Sequence, residues 1–295
     1  MQKTMLDRVE RVADDVVSLV LRGDEGLLEP WEPGAHIDLA LPNWLTRQYS
    51  LCGDPGDLSA YRIAVRLDPL SRGGSEYVHW YLRPGRTLEV SSPRNHFPLV
   101  PAPEYLFLAG GIGITPMVPM LRAAVSAGAA ASLVYVGRSA STMPFAAELR
   151  ATYGERVRLF DGGRPDLATL AVGPEAEVYC CGPASMLSAA EAIFPRLHTE
   201  RFQPTQRVFG PDTAFEVVCG RSGQTLQVPA DESLLDVLNH AGRPVPSGCR
   251  EGVCGSCELS VLDGEPEHRD DIGAPAGRMY PCVSRALSPR LVLDV

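Results

Sequence analysis

Four of the chain's eight cysteines fall near its end in a pattern that could hold a metal. Cys249, Cys254 and Cys257 follow one another with four and then two residues between them, and Cys282 follows after 24 intervening residues. That spacing suits a 2Fe-2S cluster, which needs four converging thiolates, three from one tight loop and the fourth from a distant segment. Gly248, Gly252 and Gly255 fit such a loop, because amides turned toward sulfur need left-handed backbone at several positions and glycine reaches it without steric cost. Structural zinc or inert thiols are the competing reading. Zinc sites usually pair C-x2-C elements, and here only Cys254 and Cys257 have that spacing. The remaining cysteines, Cys52, Cys180, Cys181 and Cys219, sit in or beside apolar runs, where a small buried side chain is the simplest role.

A second chemistry is phosphate binding. Residues 105–109 form an apolar run that meets Gly110-Gly111-Ile112-Gly113-Ile114-Thr115-Pro116, a strand, a glycine turn and a helix with Thr115 as N-cap and Pro116 as first helical residue. A helix N-terminus with uncovered amides accepts a pyrophosphate. The third glycine of G-x-G-x-x-G is missing, so alone the run is better read as a plain tight turn. Val178-Tyr179-Cys180-Cys181-Gly182-Pro183 repeats the pattern, and two such ends at the carboxyl edge of one parallel sheet make a dinucleotide site. The adenosine end would fall at Val136-Gly137-Arg138-Ser139, where Arg138 either holds a 2′-phosphate or lies against adenine. Nearer the start, Arg47-Gln48-Tyr49-Ser50 offers a cation, an aromatic face and a hydroxyl on one strand. Arg72-Gly73-Gly74-Ser75 offers amides at a helix start, suited to a terminal phosphate. A solvated arginine and a core tyrosine are the plain alternatives.

The elements that must position these residues divide the 295 residues into two domains with room for a small third, at roughly 150 residues per domain. Residues 16–22, 35–41, 47–51, 61–67 and 87–90 are short β-rich runs separated by turn residues, with one helical insertion at 76–82; they predict an antiparallel β-barrel over 1–101. From 102 to 202, apolar strands at 105–109, 132–136, 157–160 and 178–181 alternate with helical stretches at 116–127, 145–153 and 183–193, which predicts a parallel α/β sheet. Residues 203–213 read as a linker. Residues 214–295 hold a hairpin at 215–219 and 225–228, a helix at 233–241 and the cysteine loop, an α+β domain.

Composition excludes other classes. With 45% hydrophobic and 21% charged residues the chain is not disordered. A net charge of −9 without a basic patch argues against nucleic-acid binding. The most apolar stretch, residues 123–137, is shorter than the roughly 20 residues a bilayer span needs, and the charged first ten residues lack a signal-peptide core. A cytoplasmic protein with no membrane association is expected, and in that compartment a cysteine cluster is a metal or redox site rather than a set of disulfides.

Taken in order, the motifs Arg47-Gln48-Tyr49-Ser50, Arg72 to Ser75, Gly110 to Met117, Tyr179 to Pro183, Pro246 to Cys257, Glu267-His268-Arg269-Asp270 and Cys282-Val283-Ser284-Arg285 resemble the phthalate dioxygenase reductase family. Its members are FMN- and 2Fe-2S-containing oxygenase reductases of the ferredoxin-NADP reductase superfamily. The resemblance covers nearly the whole chain and implies an FMN-binding barrel, a nicotinamide domain and a plant-type ferredoxin (β-grasp) domain. It implies that Tyr49 packs on the isoalloxazine, that Ser50 approaches flavin N5, and that Arg47 with Arg72, Gly73, Gly74 and Ser75 holds the phosphate end. It implies that Gly110, Gly111, Gly113, Thr115 and Pro116 receive the coenzyme, that Thr115 and Cys181-Gly182-Pro183 frame the nicotinamide, and that NADH is preferred to NADPH.

Electron counting gives the order of transfer. A nicotinamide gives up two electrons as hydride and a 2Fe-2S cluster carries one at a time, so a flavin must stand between them. A plant-type cluster near about −400 mV is a strong donor, and the chain shows no further acceptor, so the electrons leave to a partner protein. The resemblance makes that partner an oxygenase component, a Rieske non-haem iron oxygenase, with a haem-thiolate monooxygenase as the alternative. A redox-sensing binding protein is the reading from another class.

Overall fold

The computed structural model describes residues 1–24 and 26–295, and these form two compact units, Met1–Glu200 and Arg201–Val295. Among the described residues no helix is long and apolar enough to cross a membrane.

The first unit opens with β1 (Gln2–Ala13), β2 (Val16–Gly23), β3 (His36–Ala40), β4 (Thr46–Ser50), β5 (Ala60–Arg66), helix α1 (Gly74–Tyr81) and β6 (Thr87–Val90). The strands pair in the order β4-β3-β6-β1-β2-β5, all antiparallel. The sheet closes on itself just past β4, where Leu51 bridges Ile63 and the Cys52 N–H donates to the Arg62 carbonyl at 2.8 Å. Alternate residues point inward, and Leu6, Leu19, Leu21, Ile37, Leu39, Tyr61, Ile63 and Val90 fill the barrel. The sequence reading omits β1, which carries five charged side chains and whose register with β2 slips between Leu6 and Arg8 and again between Arg11 and Ala13. Those slips break the alternation by which a strand is recognised.

The same unit continues with β7 (Glu104–Gly110), α2 (Ile114–Ser126), β8 (Ala130–Gly137), α3 (Ala146–Tyr153), β9 (Val157–Asp161), β10 (Glu177–Cys181), α4 (Ala184–Glu191) and β11 (Leu197–Glu200). They build a five-stranded parallel sheet in the order β11-β10-β7-β8-β9. The central strands are buried along almost their whole length, as a sheet covered on both faces requires. The chain runs outward from β7 to β9 and then returns to the other side of β7. The sheet therefore changes direction between β7 and β10, where open α/β sheets bind ligands beyond their carboxyl ends. The edge strand β11 has the polar sequence LHTE and no fully buried residue, so no apolar run announces it.

Gly111–Gly113 make a tight 3-10 turn that flows into α2, whose N-cap is Gly113. Thr115 is thus inside the helix, with Oγ1 donating to the Ile112 carbonyl at 3.0 Å, and is not the N-cap.

The second unit holds β12 (Phe215–Cys219), β13 (Thr225–Val228), α5 (Leu234–His240), β14 (Leu259–Asp263), β15 (Pro266–Glu267), β16 (Arg278–Met279), β17 (Arg285–Ala286) and β18 (Arg290–Leu293). The main sheet runs β13-β12-β18-β14-β16, with β18 parallel to β12 and antiparallel to β14. The last strand returns through the middle, and Leu234, Leu235 and Leu238 of α5 join Val217, Met279, Leu291 and Leu293 in the core. Ser233 caps α5, its Oγ accepting the Asp236 N–H at 3.1 Å. The segment before β12 has no regular structure but is tied down: the Thr205 N–H donates to Asp271 at 2.6 Å, and Asp212 pairs with Arg269 at 2.7 Å.

Candidate functional site

On the barrel, β4 carries Arg47, Tyr49 and Ser50 beside the start of α1. Arg47 donates from Nη1 to the Thr46 carbonyl at 2.9 Å and from Nη2 to the Arg72 carbonyl at 3.3 Å. Gly73, the N-cap of α1, has φ 83, a conformation that glycine adopts without strain. A Cβ on Gly74 would stand 2.6 Å from Arg47 Nε, so the guanidinium lies directly across this corner. Ser75 Oγ accepts the Asp68 N–H at 3.1 Å and donates to Ser71 Oγ at 3.2 Å. The corner thus combines a cation, a helix start and hydroxyls, which suits a phosphate group. Gln48 anchors the strand from the side, donating at 2.8 Å to Asp38, which also takes Arg94 at 2.7 Å. Burial pushes the Tyr49 phenol up, against the pull of Arg47. Ser50 is buried and pairs with His36 across the sheet.

At the carboxyl end of the parallel sheet lies a cleft of about 540 Å³ whose lining includes Gly110, Gly111, Arg138 and Pro183. The turns after β7 and β10 are pressed together. A Cβ on Gly110 would come 2.5 Å from Pro183 Cδ and 3.1 Å from Gly182 Cα, and one on Gly113 would come 2.2 Å from the Cys181 carbonyl oxygen. Thr115, Pro116 and Gly113 are buried in the turn and first helical residues behind this edge and do not line the cleft. Cys181 is buried as well, and burial together with Glu200 holds its thiol well above the ordinary range.

Several residues here have no counterpart in the sequence reading. Asp15, Arg66, Arg164 and Met186 line the cleft, and Arg66 Nη1 lies 3.7 Å from where a Gly111 Cβ would be. Glu200 pairs in register with Cys181. Its Oε2 is buried with no hydrogen-bond partner among the described residues, and burial pushes its carboxyl up to about 8. The glycine pair Gly162-Gly163 after β9 was the one local signal available for the loop that carries Arg164.

In the second unit the loop from Gly248 gathers the cysteines. Cys254 and Cys257 are buried and Cys249 and Cys282 half-buried. The Glu251 N–H donates to Cys249 Sγ at 3.3 Å, and Cys254 Sγ lies 3.1 Å from Ser256 Oγ. The loop turns at Arg250, Gly252 and Gly255, with φ of 62, 72 and 71; Gly248 is not left-handed and instead donates its N–H to Ser256 Oγ at 2.9 Å. A Cβ on Gly252 would meet Val283 Cγ2 at 2.7 Å and Asp270 Cα at 3.0 Å, so only glycine lets the loop pack here. The thiols pair as Cys249 with Cys254 and Cys257 with Cys282, and amide donors reach Cys249, Cys254 and Cys282. A hydrogen bond from Cys249 lowers the Cys254 thiol and raises that of Cys249, while pairing with Cys257 raises Cys282. Four thiols converging among backbone N–H groups, with no histidine among them, fit an iron-sulfur cluster.

Comparison with known proteins agrees with this geometry. The family model of the 2Fe-2S iron-sulfur cluster binding domain matches residues 217–287. The chain is 42% identical over 318 aligned residues to vanillate O-demethylase oxidoreductase of Pseudomonas sp. (strain HR199 / DSM 7063), covering 100% of both chains. Among solved structures, phthalate dioxygenase reductase superimposes with a TM-score of 0.74 at 36% identity, over 99% of this chain and 97% of that one. An intact type IV self-sufficient cytochrome P450 monooxygenase matches with a TM-score of 0.90 at 40% identity, over 100% of this chain but 41% of that one. The present chain thus spans less than half of that monooxygenase. A full-length match at this level of identity, on a fold that joins an antiparallel barrel, a parallel α/β sheet and a cluster-binding β-grasp unit, shows that the chain belongs to the phthalate dioxygenase reductase family of flavin and iron-sulfur oxygenase reductases.

Proposed function

We propose that the protein is an NADH-dependent reductase component that passes electrons from NADH through FMN to its 2Fe-2S cluster and on to a separate oxygenase, a Rieske non-haem iron oxygenase. The observation that carries this reading is the presence, in one chain, of a dinucleotide cleft, a phosphate corner on the barrel and a four-cysteine loop. When bound, the flavin supplies the conversion of a two-electron hydride into single electrons.

The chain's own residues divide the remaining work. Arg47, Arg72, Gly73, Gly74 and Ser75 hold the flavin phosphate, Tyr49 offers its ring, and Ser50 places a neutral hydroxyl near the reacting edge. Gly110, Gly111 and Arg138 shape the coenzyme path and Gly182 and Pro183 its reactive end, with Gly113, Thr115, Pro116 and Cys181 buried behind them as the support of the two turns. Glu200 keeps a proton beside Cys181 near neutral pH. Cys249, Cys254, Cys257 and Cys282 ligate the iron. The corresponding domains are 1–101, 102–202 and 214–295, with 203–213 as linker. A cytoplasmic location agrees with a four-cysteine cluster loop and four further buried thiols outside it, since thiols stay reduced in that compartment.

A haem-thiolate monooxygenase is the second candidate acceptor, favoured by the match to the self-sufficient P450 chain. The test is NADH-driven reduction of cytochrome c by the purified protein. Steady turnover supports a reductase, and a single stoichiometric reduction supports a redox sensor. Released flavin should chromatograph as FMN. Supplying a Rieske oxygenase or a haem-thiolate enzyme as acceptor then separates the two partner classes.

A further inference from the structure

The proposed preference for NADH leaves Arg138 to be explained, since a guanidinium at the adenosine end of the cleft is what a 2′-phosphate would seek. Its charge is met from the barrel. The turn between β1 and β2, Asp14-Asp15, reaches the loop after β8: the Asp14 N–H donates to the Ser141 carbonyl at 2.9 Å, and Arg138 Nη2 donates to Asp15 Oδ2 at 3.1 Å. The turn is held from behind by the Leu67 N–H, which donates to the Asp15 carbonyl at 2.7 Å. Asp15 is itself part of the cleft wall. Its side chain is 24% exposed against 79% for Arg138, so the carboxylate is the fixed partner and the arginine the tethered one. The second carboxylate oxygen, Oδ1, is buried and finds no hydrogen-bond partner among the described residues. The other charged side chains lining the cleft are Arg66, beside Gly111, and Arg164, on the loop after β9.

We propose that Asp15 is a specificity-determining residue for the coenzyme: it holds Arg138 against the barrel hairpin and cancels its charge, so that the cleft accepts the 2′-hydroxyl of NADH and rejects the 2′-phosphate of NADPH. Rejection here comes from a repulsive element placed against the wrong ligand. The inference rests on the NADH reading above and deepens it, because it names the residue responsible. No residue of the cluster or the flavin corner takes part.

The test uses the full-length holoprotein and two measurements, the ratio of kcat/KM for NADPH to that for NADH, and calorimetric binding of 2′,5′-ADP against 5′-AMP. Asp15→Asn keeps the side chain's shape and removes its charge. It should raise the NADPH/NADH ratio roughly tenfold or more and tighten 2′,5′-ADP by a similar factor, with little change in 5′-AMP. Adding Arg138→Ala to Asp15→Asn should return the ratio toward the wild-type value, a non-additive result expected of a coupled pair. Arg138→Ala alone uncovers the carboxylate and should lower the ratio further. If Asp15→Asn leaves the ratio and the 2′,5′-ADP affinity unchanged, or Arg138→Ala alone raises the ratio, the proposal fails and the hairpin contact is only structural. A wild-type preference for NADPH would instead overturn the NADH reading itself, before any variant is made.

Discussion

Cys254 shares a hydrogen bond with Cys249 and lies 3.1 Å from Ser256 Oγ, and the pairing with Cys249 lowers its thiol. A hydroxyl at this position is a harder, weaker ligand that does not ionise near neutral pH. Cys254→Ser should therefore purify with its flavin but without most of its iron, as read by iron analysis and the visible spectrum; full iron content would contradict the ligand assignment. Glu200 makes a different prediction. Its carboxyl, pushed up to about 8 by burial, binds a proton more tightly in the folded chain than at the ordinary glutamate value of about 4.3. The stabilisation from the neutral form is complete below that ordinary value and is lost as pH rises through about 8. Glu200→Gln should therefore reduce the fall in thermal midpoint between pH 6 and pH 9. Parallel falls in variant and wild type would show that Glu200 titrates in the ordinary range.

Between β7 and β10 the site depends on glycines that have no room for a side chain. Gly113→Ala would place its Cβ 2.2 Å from the Cys181 carbonyl oxygen, so α2 or the Cys181 turn must move. Such overpacking costs about 1–3 kcal/mol, and the variant should show a lowered unfolding midpoint together with a raised KM for NADH. A variant with unchanged stability and KM would mean that the two turns are not pressed together. These strand-turn-helix units were legible in the sequence because apolar runs ending in glycine and proline are local signals, and so were the hairpin of β12 and β13 and the helix α5. Bulged, charged β1 and short, polar β11 were not legible, since neither has the apolar period that marks a strand. The start of α2 was misplaced by two residues because Gly111–Gly113 form a 3-10 turn that composition does not announce. The same division runs through the site. Cys249, Cys254, Cys257 and Cys282 could be read from spacing alone, whereas Asp15 is paired with Arg138, 123 residues away, and Glu200 meets Cys181 only through strand pairing.

At the scale of the whole molecule, electrons are proposed to enter through the first unit and leave through the second. The part of the chain from residue 206 onward carries thirteen acidic and eight basic side chains, and seven of those eight are arginines committed to ion pairs within the unit. The remaining excess is negative; it suits either an ordinary solubilising face or a partner with a positive docking patch, an encounter that salt would slow. On the proposed route, hydride transfer would require only the barrel and the α/β sheet, and one-electron delivery to a protein would require the cluster. The most direct measurement compares the full chain with one ending at Gln206, each loaded with flavin and supplied with NADH, using ferricyanide and cytochrome c as acceptors. The shortened protein should reduce ferricyanide at a rate close to that of the full chain and lose most of its cytochrome c reduction. Undiminished reduction of cytochrome c by the shortened protein would contradict the proposed route, because electrons would then leave from the flavin and not through the cluster.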